Sequence, residues 1–249
     1  MAGLEQVLPY GGTERKDIQV RRMFDVIAGR YDRLNHVLSL GIDRWWRRQA
    51  VDFLRPYHPA RILDIASGTG DLAMLLCRRL KPDRVVGADI SREMMAIGAR
   101  KAGQNGLSSV LSFEYQDCMS LSYPDHSFDA VTAAFGVRNF LQLERGFSEM
   151  YRVLKPGGHI VVLELSTPAH FPVKQLYRLY CRVMVSIVGG YLGLEKAAYN
   201  YLPASVKAMP QGKEMLELIG KQGFTDTRTK RFTFGVCSLY TGKKNITDK

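Results

Sequence analysis

Long apolar runs are missing from this chain of 249 residues. The longest nearly uncharged stretch, Val183 to Leu194 ("VMVSIVGGYLGL"), covers 12 residues, well short of the roughly 20 that a membrane-crossing helix needs. It reads as a buried or interfacial segment. No basic stretch followed by an apolar one opens the chain, so a secretory leader is not expected. Cysteine is scarce. Cys77, Cys118, Cys181 and Cys237 stand at none of the spacings of a metal site or redox pair, and unpaired thiols in a reducing cytoplasm are the expectation. The five histidines are equally scattered, so no metal site is expected. Ten prolines lie far apart, and neither an internal repeat nor a low-complexity tract appears. One domain with a sizeable core, carrying at most a small appended part, fits these limits.

Acidic residues are outnumbered, which leaves a net charge of +11 at pH 7. The excess is uneven. Residues 1–60 carry +3, residues 61–168 are balanced, and residues 169–249 carry +8. The basic third also holds the apolar run. Positive charge beside apolar surface suits an anionic membrane surface; positive charge alone suits nucleic acid, or simply a solvated basic exterior.

Residues 1–16 are polar and irregular and are expected to fray. From Asp17 to about Pro56 the pattern is helical. "VRRMFDVIAGRYDRL" sets Val20, Met23, Phe24, Ile27, Tyr31 and Leu34 at helical spacing, and "DRWWRRQAVDFL" is read as continuing the helical pattern with Trp45, Ala50 and Phe53. Short apolar runs then alternate with helical stretches: "RILDIA", "RVVGAD", "VLSFEYQ", "FDAVTAA" and "HIVVLELS". After a gap come "TDTRTKRFT" and "GVCSLYTGKK". This alternation predicts a mostly parallel sheet covered on both faces. The last two runs are too close to pair except as a hairpin, so one strand near an edge runs antiparallel. The chain divides into an N-terminal helical lid, residues 1–56, and an α/β domain, residues 57–249, with residues 166–215 as an insertion.

"LDIASGTGDLA" puts Gly68 and Gly70 at a strand-to-helix junction, where glycine lets backbone approach a nucleotide-like ligand beside a helix N-terminus. Asp89, followed by Ile90, ends the next strand, placed to accept from ribose hydroxyls. Both features also suit a dinucleotide. Asp64 does not: it lies beside the loop, where it would repel a pyrophosphate and attract an ammonium group. Asp117 and Cys118 end the third strand, within reach of an adenine amino group. Each acid singly also fits a cap or a solvated strand end. Together, "DIASGTGD", "GADIS" and "YQD" resemble the class I S-adenosylmethionine-dependent methyltransferases, over residues 60–245. The resemblance implies a Rossmann-like sheet of seven strands, one of them antiparallel. It also implies that Asp64 and the backbone of Ser67, Gly68, Thr69 and Gly70 hold the methionine part. Asp89 and Ile90 then hold the ribose, and Asp117 and Cys118 the adenine. The sulfonium carries an activated methyl group, so the protein has only to set the acceptor atom in line and exclude water.

The fourth strand exits into "AAFGVRNF", a cation and a carboxamide between two aromatic residues. The Asn/Asp-Pro-Pro-aromatic run of amino-methylating nucleic-acid enzymes is absent, as is the Pro-Cys of pyrimidine-carbon enzymes, and no RNA-binding module is evident. Nucleic acid is therefore not an expected partner. "MFDVIAGRYDRLNHVLSLGIDRWWRR", "GVRNF", "RVLKPGGHIVVLELSTP", "AYNYLPASV" and "FTFGVCSLYTGKK" are similar to the ubiquinone/menaquinone biosynthesis C-methyltransferases, from about residue 20 to residue 244. Three places depart from that pattern. Ala134 stands where some members carry a serine that contacts the cofactor, so that contact is not carried over. Met209 and "GLEKAAY" also differ from commoner family residues.

The family likeness implies methyl transfer from S-adenosyl-L-methionine to a ring carbon of a prenylated quinol. Demethylmenaquinol is favoured over a methoxy-polyprenylbenzoquinol. Another phenolic or lipid acceptor, or a non-catalytic subunit of a quinone-assembly complex, stands as an alternative. A quinol carbon becomes nucleophilic as its hydroxyl loses a proton, and a fixed cation stabilises the phenolate that forms. Arg138 suits that role, and Asn139 suits orienting a second oxygen or a water. Arg138 alternatively forms a structural ion pair. Arginine accepts protons poorly, so the base is a water, Tyr31, Asp32 or Asp71. Phe135 and Phe140 are expected to bracket the ring. Tyr31 and Trp45 are core residues or parts of a lid, and Tyr199 and Tyr201 are candidates for an acceptor channel. The expected location is cytoplasmic with peripheral contact at an anionic membrane surface; a homo-oligomer is compatible with the sequence and not specified by it.

Overall fold

The computed structural model describes the backbone of residues 3–191 and 196–247, and the side chains of 3–183 and 200–247. All seven expected runs form strands: β1 (Arg61–Ile65), β2 (Arg84–Asp89), β3 (Leu111–Tyr115), β4 (Phe128–Ala134), β5 (Leu154–Leu165), β6 (Thr225–Phe232) and β7 (Cys237–Lys243). They join one sheet in the order β3-β2-β1-β4-β5-β7-β6. The first five pair in parallel, and β7 runs antiparallel to both β5 and β6. The antiparallel strand is therefore second from the edge. At the edge itself β6, "TDTRTKRF", is largely exposed, and its charges discourage another strand from adding on.

The inner strands are apolar on both faces because helices cover both. Neighbouring residues point into opposite cores. Ile62, Val85, Ala130 and Val161 face α2 (Asp43–Leu54), α3 (Asp71–Leu80) and α4 (Arg92–Gln104), while Leu63, Val86, Val131 and Val162 face α5 (Leu143–Val153) and α8 (Lys213–Lys221). Burying each such side chain contributes about 1.5–3 kcal/mol, so the two cores set the sheet's register.

Helix α1 (Lys16–Leu38) lies across α4. Ile27 and Ala28 pack on Met94, and Ser91 Oγ donates to Asp25 Oδ1 at 2.5 Å. Residues 3–15, expected to fray, are held instead. Lys16 Nζ donates to Leu4 O at 2.9 Å, while the Gln19 amide accepts from Tyr10 N and donates to Gly11 O and Glu14 O, all at 2.8 Å. Polar composition concealed these bonds because they are made by side chains of the following helix.

The face of α2 also differs from expectation. Its buried stripe is Asp43, Trp46, Arg47, Ala50, Val51 and Leu54, and Trp45 is 44% exposed against Phe232. Trp46 points inward, its Nε1 donating to Thr233 Oγ1 at 2.9 Å. Two adjacent tryptophans cannot share a helical face, and the one three residues after Asp43 and four before Ala50 is the buried one.

Helices α6 (Val173–Tyr191) and α7 (Lys196–Ala208) fill the expected insertion. The side chains of most of the Val183–Leu194 run and of the whole "GLEKAAY" segment, Tyr199 included, lie outside the described residues. Among the described residues no helix is long and apolar enough to cross a membrane.

Candidate active site

In this topology the chain leaves β1 toward β2 and β3, then crosses back to place β4 on the other side of β1. Ligands bind at the carboxyl ends of strands beside such a switch point. Here the two exits are jammed together: a Cβ on Gly136 would stand 2.4 Å from Ala66 Cβ. Both exits adopt left-handed backbone at non-glycine residues, Ala66 with φ 51° and Phe135 with φ 59°.

A cleft with about 980 Å³ of empty space, open to solvent, lies over these ends. Asp89, Ile90, Asp117 and Cys118 line it together, with Phe24 of α1 and Phe135 across from them. Asp89 Oδ2 accepts from Gly68 N and Oδ1 from Ser91 N, each at 2.8 Å. Those bonds fix the carboxylate while leaving each oxygen a lone pair for a ribose hydroxyl. Burial nonetheless holds the Asp89 carboxyl above its usual pKa. Asp117 stands two residues beyond β3, its Oδ1 accepting from Met119 N at 2.9 Å. Burial raises the Cys118 thiol, which stays protonated.

Asp64, Ser67, Thr69 and Asp71 line a smaller adjoining hollow with Tyr31 and Arg47. Asp64 is fully buried, accepting from Thr132 Oγ1 at 2.6 Å and Ser67 Oγ at 2.8 Å, with no ion pair among the described residues. Burial pushes its carboxyl up to about 6 in spite of those hydroxyls. Arg47 is near enough to draw it down but forms no ion pair with it, and a buried carboxylate without a paired cation fits an ammonium ligand. Gly68 has φ +57° and open space where a side chain would stand, so backbone is free to approach that ligand. Gly70 has a different reason: a Cβ there would meet the Phe113 ring at 2.6 Å. Asp32 and Asp71, both candidate bases, converge on Lys101 Nζ at 2.7 and 2.6 Å, and Thr69 Oγ1 donates to Asp32. This ties α1, α3 and α4 together. Lys101 was invisible to motif reading because it lies 30 residues from Asp71.

Across Phe135 from the cleft is an apolar chamber with about 850 Å³ of empty space. Trp46, Leu165, Tyr177, Tyr180 and Val206 line it, with Arg138 and Asp43 among its few polar groups. A connecting gap brings Arg138 and Asn139 together with Tyr31 and Tyr201. Phe140 does not join this side. It faces the cleft and packs over Gly146, so the expected bracketing pair reduces to Phe135. Arg138 Nη1 pairs with Glu164 Oε1 at 2.7 Å and also donates to Phe135 O. Burial, the largest single influence, opposes the charge, but Glu164 with Tyr31 and Tyr201 together raises the guanidinium pKa. Arg138 Nε, Asn139 Oδ1 and Tyr201 Oη are buried without a hydrogen-bond partner among the described residues. Burial also raises the Tyr31 and Tyr201 hydroxyls, so both stay protonated. Glu164 was passed over inside "VVLEL"; a single acid in a run that apolar was its signal. Asp43 and Arg47, four residues apart on one buried face, were passed over too.

A doubly covered sheet of this order, with its ligand cleft at the β1/β4 switch, is the architecture of the class I S-adenosylmethionine-dependent methyltransferases, and the chain is one of them. Solved structures share the fold. A possible histamine N-methyltransferase from Thermotoga maritima matches with TM-score 0.61 and 20% identity, covering 90% of this chain and 99% of that one. The [4+2]-cyclase SpnF matches with TM-score 0.60 and 20% identity, covering 92% and 97%. The model of the ubiE/COQ5 methyltransferase family matches residues 12–244, and the chain belongs to that family. Demethylmenaquinone methyltransferase of Bacteroides fragilis is 50% identical over 96% of this chain and 98% of its own length. The Porphyromonas gingivalis enzyme of the same name is 44% identical over 98% and 100%. The ubiquinone/menaquinone biosynthesis C-methyltransferase of Geobacter sulfurreducens is 41% identical over 97% and 94%. The protein is thus a C-methyltransferase that uses S-adenosyl-L-methionine.

Proposed function

We propose that the chain methylates a ring carbon of a prenylated quinol, demethylmenaquinol, to give menaquinol. The observation that carries this reading is Arg138: a buried guanidinium, fixed by Glu164, at the wall of an apolar chamber that meets the cofactor cleft at Phe135. The names of the Bacteroides and Porphyromonas relatives favour the naphthoquinol ring. Asp64 holds the donor's ammonium, Asp89 and Ile90 its ribose, and Asp117 with Cys118 its adenine, along the backbone of Ser67 to Gly70. When bound, the donor supplies a methyl group already activated on a sulfonium.

Arg138 stabilises negative charge as the quinol oxygen loses its proton, with its unpartnered Nε as the free donor. Asn139 Oδ1 holds a water, and that water takes the proton. Asp32 and Asp71 are both held in ion pairs by Lys101, and burial keeps Tyr31 protonated, so these three orient rather than accept. The helices before residue 57 close the site. Here α1 is the cover, while α2, whose Trp46, Val51 and Leu54 belong to the sheet's core, is its base. The prenyl tail lies in the apolar chamber, and α6 contacts an anionic membrane surface.

Purified protein with S-adenosylmethionine, detergent and chemically reduced demethylmenaquinone should yield menaquinone by mass spectrometry. Arg138→Ala should lower turnover by roughly 10²–10³-fold with donor affinity, read by calorimetry, unchanged. No methylated naphthoquinol from the native protein would sink the substrate reading, and full activity in the variant would sink the role of Arg138.

A further inference from the structure

We infer that Arg47 binds the carboxylate of the methyl donor, so that the donor's amino-acid end is gripped as a zwitterion between Arg47 and Asp64. This rests on the assignment of the donor's ammonium to Asp64. Arg47 is 7% exposed and lines both the small hollow that holds Asp64 and the apolar chamber. Its Nη1 is committed to Asp43, and its guanidinium carbon stands 5.0 Å from the centroid of the Phe135 ring. Its Nε is buried without a hydrogen-bond partner among the described residues.

A buried N–H left unpaired is costly, and arginine presents its five donors as a planar fork that matches a carboxylate. A purely structural arginine packed against Phe135 and Asp43 gains nothing from leaving a buried donor unpaired beside a hollow that its side chain lines. An anionic ligand in that hollow accounts for it. The hollow's other charges sort accordingly. Asp71 is already taken by Lys101, while Asp64 has only hydroxyl partners. Asp64 therefore keeps no direct ion pair, although Arg47 is near enough to act on it, and Arg47 keeps one unpartnered donor, which complements an ammonium and a carboxylate on the same carbon.

Asp43 positions Arg47. It accepts from Ser39 Oγ at 2.7 Å and lies 3.1 Å from His36 Nδ1 through both oxygens, so the carboxylate behind the guanidinium is fixed by the junction of α1 and α2.

The test compares S-adenosylmethionine with its decarboxylated form, which keeps the sulfonium, ribose, adenine and amine. Calorimetry without acceptor reads binding alone, so failure of the quinol assignment leaves the result intact. The native protein should favour the carboxylate-bearing donor by roughly 10- to 100-fold. Arg47→Met should erase that preference while leaving the decarboxylated ligand's affinity nearly as it was. Asp64→Asn should weaken both ligands alike, which separates the two subsites. If Arg47→Met fails to fold because Asp43 loses its cation, the double variant Asp43→Asn/Arg47→Met answers the same question. Equal native affinity for the two ligands overturns the inference. So does a full preference retained in the variant, or a loss shared equally by both ligands, which marks Arg47 as structural only.

Discussion

A carboxyl group that burial pushes up to about 6, as at Asp64, binds a proton more tightly folded than unfolded. Its contribution to stability is present below the unfolded value of 3.8 and is lost as pH rises through about 6. Ligand binding carries the opposite sign, since an ammonium partner needs the ionised form. Donor affinity should therefore fall as pH drops through about 6, approaching tenfold per pH unit, with proton release on binding. Asp64→Asn should flatten that dependence; calorimetry in buffers of different ionisation enthalpy reads both, and a flat native profile would refute the assignment. At this scale the gathering of the proposed donor-side residues at the strand ends was legible in the sequence. Asp64, Asp89 and Asp117 lie at or just beyond strand ends, and alternation alone placed those ends together. The partners of Arg138 and Arg47 were not legible, because Glu164 comes from another strand and Asp43 stands outside the apolar positions by which α2 is read. Side chains that meet through tertiary packing leave only faint local signals, such as one acid in an apolar run.

Helices were found in the sequence more reliably than their faces. The period of α2 was clear, but choosing Trp45 over Trp46 turned its buried stripe by one position, which displaced Asp43 and Arg47 from view. Helix α6 shows a face the sequence suggested only by composition. Tyr177, Tyr180 and Cys181 line the apolar chamber, while Leu176, Leu179 and Val183 are 62%, 55% and 44% exposed along the adjoining stripe. Lys174, Arg178 and Arg182 run beside them. A helix with an exposed apolar stripe beside a basic face suits the headgroup boundary of an anionic bilayer. Vesicles rich in phosphatidylglycerol should sediment the protein at low salt and release much of it at high salt. Leu176→Glu/Leu179→Glu should abolish binding without altering donor affinity. No sedimentation of the native protein at low salt would remove α6 as a membrane face.

Over the whole molecule, the order of short apolar runs and helical stretches was enough to predict the sheet, its hairpin end and the helices on both faces. Each step follows from local periodicity and from the need to cover two apolar surfaces. The path of α1 across α4 could not be read that way, because it depends on single contacts such as Asp25 with Ser91 and Asp32 with Lys101. The left-handed backbone at Ala66 and Phe135 has a consequence for the molecule's total stability. Such a conformation costs an L-residue with a Cβ roughly 1–2 kcal/mol, and glycine adopts it freely. Ala66→Gly should therefore raise unfolding free energy by up to about 1 kcal/mol, measured by urea denaturation; a loss of stability would show that Ala66 bears no strain. A gain in Ala66→Gly would mean that the fold keeps strain where the exits of β1 and β4 touch, and that relaxing it trades rigid aim of those two loops for stability.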